Sequence, residues 1–318
     1  MYLSEFNPSF PLKNGHLGTI WPTLFRKGTV DFERTRMATE DGDFIDLDWV
    51  ARGNAKLLII GHGLEGSSAS SYVVGLTKNA IQQGFDVMAI NWRGCSGQSN
   101  LKFESYHTGK SADLKEVIAH ICQQYSYPAM YYTGFSMGGN IGLKYAGEES
   151  EKLPPQLNGI CAISTPVDLE SSSYQLAKSQ NKVYMYRFLR TLKAKYLQKV
   201  AQFPEKKLDT KKILAARTFL AFDQYFTAPA NGFESAQDYW TKSSSKPFLK
   251  RIHVPTLILN AKNDPFLAPA CFPYSEVSQN PFLEMLTPKF GGHVGFVYAP
   301  RQLETTWAEH KILEFFTR

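Results

Sequence analysis

Between about residues 56 and 165, short apolar runs alternate with stretches of helical length and helical periodicity. KLLIIGHG, FDVMAINWRG, AMYYTGFS and LNGICAIST are short and continuously apolar, as strands buried on both faces are. SYVVGLTKNAIQQG, SADLKEVIAHICQQY and MGGNIGLKYAGE read as the intervening helices; Gly84 stops the first, and Ser111 or Asp113 opens the second. Such an alternation closes through right-handed crossovers, so it predicts an α/β fold with a mostly parallel central sheet flanked by helices. Ahead of it, ERTRMATEDGDFIDLDWV predicts an antiparallel pair around an Asp41-Gly42 turn. Ile45, Leu47 and Trp49 are its buried set, with Phe44, Asp46 and Asp48 alternating imperfectly.

The alternation breaks from 166 to 250 and resumes with VPTLILNAKND, FLEMLTPKFGGH and a final helix over RQLETTWAEHKILEFF. The break is too long for a loop. It reads as a cap inserted at 166–250 into a core made of 1–165 and 251–318. Such a cap covers the C-terminal edge of the strands, where open α/β sheets bind their ligands. A chain of 318 residues accommodates this as one elaborated domain.

Gly134-Phe135-Ser136-Met137-Gly138 matches G-x-S-x-G and falls where a predicted strand runs directly into a predicted helix. That is the setting of the nucleophile elbow of the α/β-hydrolase fold, which raises the serine hydroxyl above the sheet. A serine hydroxyl needs a base, and in this fold the acid and then the histidine follow it along the chain. His293, in KFGGHVGF after the last predicted strand, fits the base. Asp264, in LILNAKNDPF where the preceding strand ends, fits the acid that holds the imidazole tautomer. Asn263 beside it carries no charge to do this. His16, His62, His107, His120, His253 and His310 fit the base less well, and Asp223 and Asp238 precede the last two core strands. Two N–H donors are expected for the oxyanion of acyl transfer: Met137, next to the nucleophile, and Leu64, in GHGLEGSS after the first buried parallel strand. Ser67 to Ser70 would cap the next helix. In NWRGCSG, Arg93 is expected to brace neighbouring loops.

GHGLEGSS has neither phosphate-loop nor dinucleotide-loop spacing. Cys95, Cys122, Cys161 and Cys271 are scattered without metal-type spacing, so neither metal nor organic cofactor is expected, and a reduced, cytoplasmic setting is the simplest reading. No leader pattern opens the chain, and no run of about 18 apolar residues occurs. A net charge of +6 is too mild to argue for nucleic acid. The oligomeric state is not legible.

NGHLGTIWPTLFR, GHGLEGSS, NWRGCSG, GFSMGGN, FDQYFTAPANGFESAQDYW, NDPF and GGHVGF together resemble the YheT-like branch of the α/β-hydrolases, also called the AB hydrolase 4 family. The resemblance spans nearly the whole chain. It implies a carboxylesterase or lipase-like hydrolase with the triad Ser136, Asp264 and His293, acting on a small or lipid-like ester. Eukaryotic members act on lipid esters, and fungal members make medium-chain fatty-acid ethyl esters, so the resemblance also admits acyl transfer to an alcohol. A non-catalytic binding module is disfavoured by the intact triad, and a dehalogenase by serine at the elbow. Within the cap, NKVYMYRFLRTLKAKYLQKV predicts an amphipathic helix with Met185, Phe188, Leu189, Leu192, Tyr196 and Val200 on one face and Lys and Arg on the other. Its apolar face is expected to pack on the protein with the lysines solvated; the other reading is peripheral contact with an anionic membrane. The aromatics of FDQYFTAPANGF line an acyl pocket or pack the cap; the pattern does not separate the two.

Overall fold

The computed structural model describes residues 6–318. Residues 1–5, where no leader pattern is expected, lie outside the described residues. Among the described residues, eight strands form one sheet: β1 (Glu33–Ala38), β2 (Phe44–Val50), β3 (Lys56–Gly61), β4 (Phe85–Asn91), β5 (Ala129–Phe135), β6 (Leu157–Ile163), β7 (Thr256–Leu259) and β8 (Leu283–Leu286), in the spatial order β1-β2-β4-β3-β5-β6-β7-β8. β1 and β2 pair antiparallel, β2 joins β4 antiparallel, and every pairing from β4 to β8 is parallel. The core helices are α1 (Gly15–Phe25), α2 (Ser71–Gln82), α3 (Ser111–Gln124) and α4 (Met137–Glu149).

Strand residues alternate between two apolar layers. Leu58, Ile60, Val87 and Ala89 pack with Val73 and Leu76 of α2; Leu57, Ile59, Met88 and Ile90 pack with Leu114 and Ile118 of α3 and Ile141 of α4. With both faces covered, the parallel strands are predominantly apolar, their charged residues lying mostly near the strand ends.

β2 departs from the predicted half-buried pattern, because all seven of its residues are buried. The acids are buried by pairing. Directly across the ladder, Arg34 grips Asp48 with contacts of 2.6 and 2.8 Å, and Arg36 grips Asp46 with contacts of 2.8 and 2.9 Å. Bidentate pairing of this kind compensates the desolvated carboxylates. Arg93 has the bracing position expected of it, gripping Asp113 through two contacts and reaching Asp41 at 2.6 Å and Asp43 at 3.2 Å.

Helix starts differ from expectation at two points, in α2 and in the final helix, while α3 starts at Ser111 as expected. Ser70 stands at the N-cap of α2, but its hydroxyl accepts from the Ser67 N–H within the loop and makes no cap bond. Ser111 is the first residue of α3 and sends its hydroxyl to Glu148 on α4. The final helix begins only at Trp307, where Thr306 and Glu309 form a capping box, so 301–306 are not helical.

Between β6 and β7 the chain carries α5 (Leu169–Leu176), α6 (Lys182–Gln202), α7 (Thr210–Ala215), α8 (Phe219–Phe222), a π-helical turn at Asp223–Thr227, α9 (Ala228–Ala230) and α10 (Ala236–Ser243). α11 (Tyr274–Ser278) precedes β8, and α12 (Trp307–Phe316) closes the fold. α6 turns Met185, Leu189 and Tyr196 into a cluster with Ile213, Phe222, Phe226 and Phe266. Its basic residues do not form one solvated face. Lys199 is buried and donates to the backbone carbonyls of Asn100 and Lys102, and Lys195 also turns inward. At i, i+3, i+4 and i+7, Leu192, Lys195, Tyr196 and Lys199 share one side of the helix, so the inward stripe takes both lysines with it.

Candidate active site

The strand-to-helix turn after β5 holds Ser136 at φ 52° and ψ −114°, a conformation that costs about 1–3 kcal/mol. Close packing maintains it. A Cβ on Gly134 would lie 2.3 Å from the Gly138 carbonyl, and one on Gly138 would lie 2.4 Å from the Gly61 carbonyl oxygen. The Tyr132 hydroxyl donates to Gly138 O at 2.7 Å, and the Ser136 N–H donates to Ile163 O at 2.8 Å. Ser136 thus stands at the C-terminal edge of the sheet, at the N-terminus of α4.

Asp264 and His293 come together from the ends of β7 and β8. His293 Nδ1 lies 2.8 Å from Asp264 Oδ2, and the other carboxylate oxygen accepts the Phe266 N–H at 2.8 Å. Asp264 is buried, and the Phe266 ring lies against the imidazole with centroids 4.1 Å apart. His293 and Ser136 line one cavity. Among the described residues the Ser136 hydroxyl makes no hydrogen bond to His293; such contacts often tighten only when substrate binds. Asp223 and Asp238 are engaged elsewhere: Asp223 accepts from Thr227 and Trp240 in the cavity wall, and Asp238 pairs with Lys242.

The histidine loop is held by residues that the sequence did not single out. The His293 N–H donates to Thr19 Oγ1 at 2.8 Å, Gly292 N–H to Asn263 Oδ1 at 3.0 Å, and Val294 N–H to Ser164 Oγ at 2.9 Å. Asn263, passed over as an acid, therefore buttresses the loop. α1 lies so close that a Cβ on Gly295 would stand 2.0 Å from the Gly18 carbonyl oxygen. This accounts for the NGHLGT segment, which contributes backbone packing behind the imidazole.

Leu64 and Met137 both line the cavity beside Ser136, and their N–H groups make no hydrogen bond among the described residues. The Gly63–Leu64 peptide is oriented from behind. Gly63 O accepts from Gly66 N at 3.0 Å and contacts His62 Nδ1 at 2.7 Å. His62 Nε2 accepts the Trp92 N–H, so Nδ1 carries the proton and donates. Complete burial pushes His62 down to about 3, so it stays neutral in this role. In a planar trans peptide the C=O and N–H point in opposite directions; fixing the Gly63 oxygen therefore aims the Leu64 N–H. His62 had no role in the sequence reading; its HG dipeptide was the available signal.

The cavity, about 140 Å³, is walled by Leu176, Phe188, Leu192, Phe222 and Phe226, with Lys195 and Lys199 on the same α6 wall. Phe222 and Phe226 belong both to the cavity lining and to the helical cluster. Among the described residues, no group of three or more His, Cys, Asp or Glu is placed to hold a metal ion, and all four cysteines are free.

Known proteins share this arrangement of elements. Residues 56–274 match the family model of the α/β hydrolase fold. The chain is 34% identical to the Escherichia coli (strain K12) protein named "Putative esterase YheT", over 99% of this chain and 93% of that protein. It is 27% identical to the Homo sapiens phospholipase ABHD3, over 92% of this chain and 74% of that one. Among solved structures, the Pyrococcus furiosus esterase Pf2001 superposes with a TM-score of 0.61, covering 100% of this chain and 98% of the esterase; at 14% identity this likeness concerns the fold alone. By the family model and by near full-length similarity to YheT, the chain belongs to the α/β-hydrolase family, in its YheT-like branch.

Proposed function

We propose that this protein is a serine hydrolase that cleaves carboxylic esters of short or medium acyl chains through an acyl-enzyme on Ser136. The observation that carries the reading is the Asp264–His293 hydrogen bond opening onto the same cavity as a strained Ser136 at a strand-to-helix turn. His293 takes the Ser136 proton as Oγ attacks the ester carbonyl and returns it to the departing alcohol. Asp264 keeps the Nδ1–H tautomer and stabilises the imidazolium. The N–H groups of Met137 and Leu64 receive the negative charge on the carbonyl oxygen. Water, deprotonated by the same imidazole, then releases the acid. The apolar cavity is close in size to one that encloses a benzene ring, which favours a modest acyl group.

Hydrolysis of p-nitrophenyl esters from two to sixteen carbons, beside Ser136→Ala, tests the reading. A maximum at short or medium length that vanishes in the variant is expected. A maximum at sixteen carbons would contradict the acyl size, and ethyl ester accumulating in ethanol in place of free acid would reassign the acceptor to an alcohol.

We also propose peripheral contact with an anionic membrane. With the apolar face of α6 turned inward, the groups left for a membrane include the exposed Val183, Tyr186 and Leu197 and the exposed Lys182, Arg187 and Arg190. On α1, which touches α6 where His16 stacks on Tyr184, Leu17 and Leu24 are also exposed. Apolar side chains flanked by arginine suit the headgroup boundary.

A further inference from the structure

Leu64 is pinned from two sides. On its N-terminal side the anchor is His62, a residue of the core. On its C-terminal side the anchor reaches into the helical insertion. Glu65, the next residue, has φ 57°, an uncommon conformation for a residue with a side chain. Its N–H donates to the Tyr106 hydroxyl at 3.0 Å, and that hydroxyl donates to the Glu65 carboxylate at 2.5 Å. The same carboxylate oxygen meets Lys195 Nζ of α6 at 2.9 Å. The ammonium also lies 3.2 Å from Cys95 Sγ and 5.0 Å from the centre of the Tyr106 ring. The Glu65 side chain is only 8% exposed, so without Lys195 its carboxylate is an uncompensated buried charge. Such a charge reorients toward water, and the Tyr106 hydroxyl that fixes the Leu64–Glu65 peptide is bonded to it.

We propose that Lys195 is a positioning residue for the oxyanion loop: through Glu65 and Tyr106 it couples the seating of α6 to the direction of the Leu64 N–H. This rests on the reading of Leu64 as an oxyanion donor in a Ser136 hydrolase. A ligand contact in the cavity wall is the competing role for Lys195, and it predicts a different kinetic signature. Loss of a group that acts on the transition state lowers kcat and leaves KM, whereas loss of a binding contact raises KM at unchanged kcat.

The test uses the full chain and the best p-nitrophenyl ester of the length series. Lys195→Met is expected to lower kcat by about ten- to a hundredfold with KM within about twofold, less than removal of a whole oxyanion donor. Lys195→Arg, which restores the cation, retains more kcat than Lys195→Met. Tyr106→Phe, which keeps the ring and deletes only the hydroxyl, gives the same kcat-only loss and carries the test if Lys195→Met does not fold. A raised KM at unchanged kcat in Lys195→Met would overturn the proposal. So would wild-type kcat in both Lys195→Met and Tyr106→Phe while Ser136→Ala is inactive, an outcome that leaves the Ser136 reading standing. Wild-type turnover that persists in Ser136→Ala would overturn the underlying reading and this inference with it.

Discussion

At the residue scale, the candidate site depends on which proton each imidazole carries. His293 presents Nδ1 to a carboxylate, and His62 presents Nδ1 to a backbone carbonyl. Asp264→Asn preserves volume but places a neutral amide against Nδ1, which no longer favours the tautomer that leaves Nε2 free for Ser136. kcat is expected to fall by about 10³–10⁴-fold, with the circular-dichroism melting temperature nearly unchanged; a loss below tenfold would count against Asp264 as the acid. His62→Ala removes the donor that aims the Gly63–Leu64 peptide, so kcat is expected to fall while Ser136 and His293 are intact. Retained wild-type kcat in that variant would mean that Gly66 alone orients the peptide. The meeting of Asp264 with His293, in one cavity with Ser136, was readable because each stands within a local pattern: glycines around a serine, an acid just after a strand and a histidine in a glycine loop. Thr19, Asn263 and Ser164, which hold the histidine loop, have no such pattern. Thr19 lies 274 residues away from His293 along the chain, and only the fold brings it there.

At the element scale, α1 acts as a backstop to the histidine loop. Gly295→Ala places a methyl group 2.0 Å from the Gly18 carbonyl oxygen, so helix and loop must separate. Overpacking of this kind costs about 1–3 kcal/mol, and both the melting temperature and kcat are expected to fall; an unchanged kcat would show that the imidazole does not depend on α1. For α6, Val183→Glu with Tyr186→Glu is expected to reduce sedimentation with anionic liposomes without altering hydrolysis of a soluble ester. Wild-type protein that does not sediment with such liposomes would remove the membrane contact. The strands and core helices were legible because hydrophobic period separates buried strands from amphipathic helices. The end of the fold was misread: Thr306-x-x-Glu309 carries a capping-box signature, but the apolar pattern was extended back through it. α6 was read as apolar and basic halves, although an intervening lysine at helical spacing is carried inward with its neighbours.

At the scale of the whole molecule, buried ionisable groups set the acid limit of stability. Burial holds His62 and His107 down to about 3, against an ordinary value of 6.5. Between those values the unfolded chain binds protons that the fold refuses, so stability falls as pH drops from about 6.5 toward 3. Asp223 opposes this, since burial raises it to about 6 and the fold takes up its proton first. Asp113 and Glu116, raised by burial, add to this opposition, and His120, lowered by burial, to the loss; the two large histidine shifts leave a net loss, reinforced below the ordinary carboxylate range by Asp41, held at about 2 although burial pushes it up, because Thr39 and Arg93 outweigh that desolvation. The melting temperature is therefore expected to decline from pH 7 to pH 4, with a shallower slope in His107→Gln; a flat or rising profile would contradict these assignments. We propose that the sheet, the elbow and the histidine loop converge so that Ser136 carries an acyl group. Rapid mixing with a p-nitrophenyl ester, acid quench and peptide mass spectrometry tests this most directly. The predicted result is the acyl mass on the peptide that contains Ser136, absent in Ser136→Ala; turnover with no adduct, or with the adduct on another residue, would contradict it.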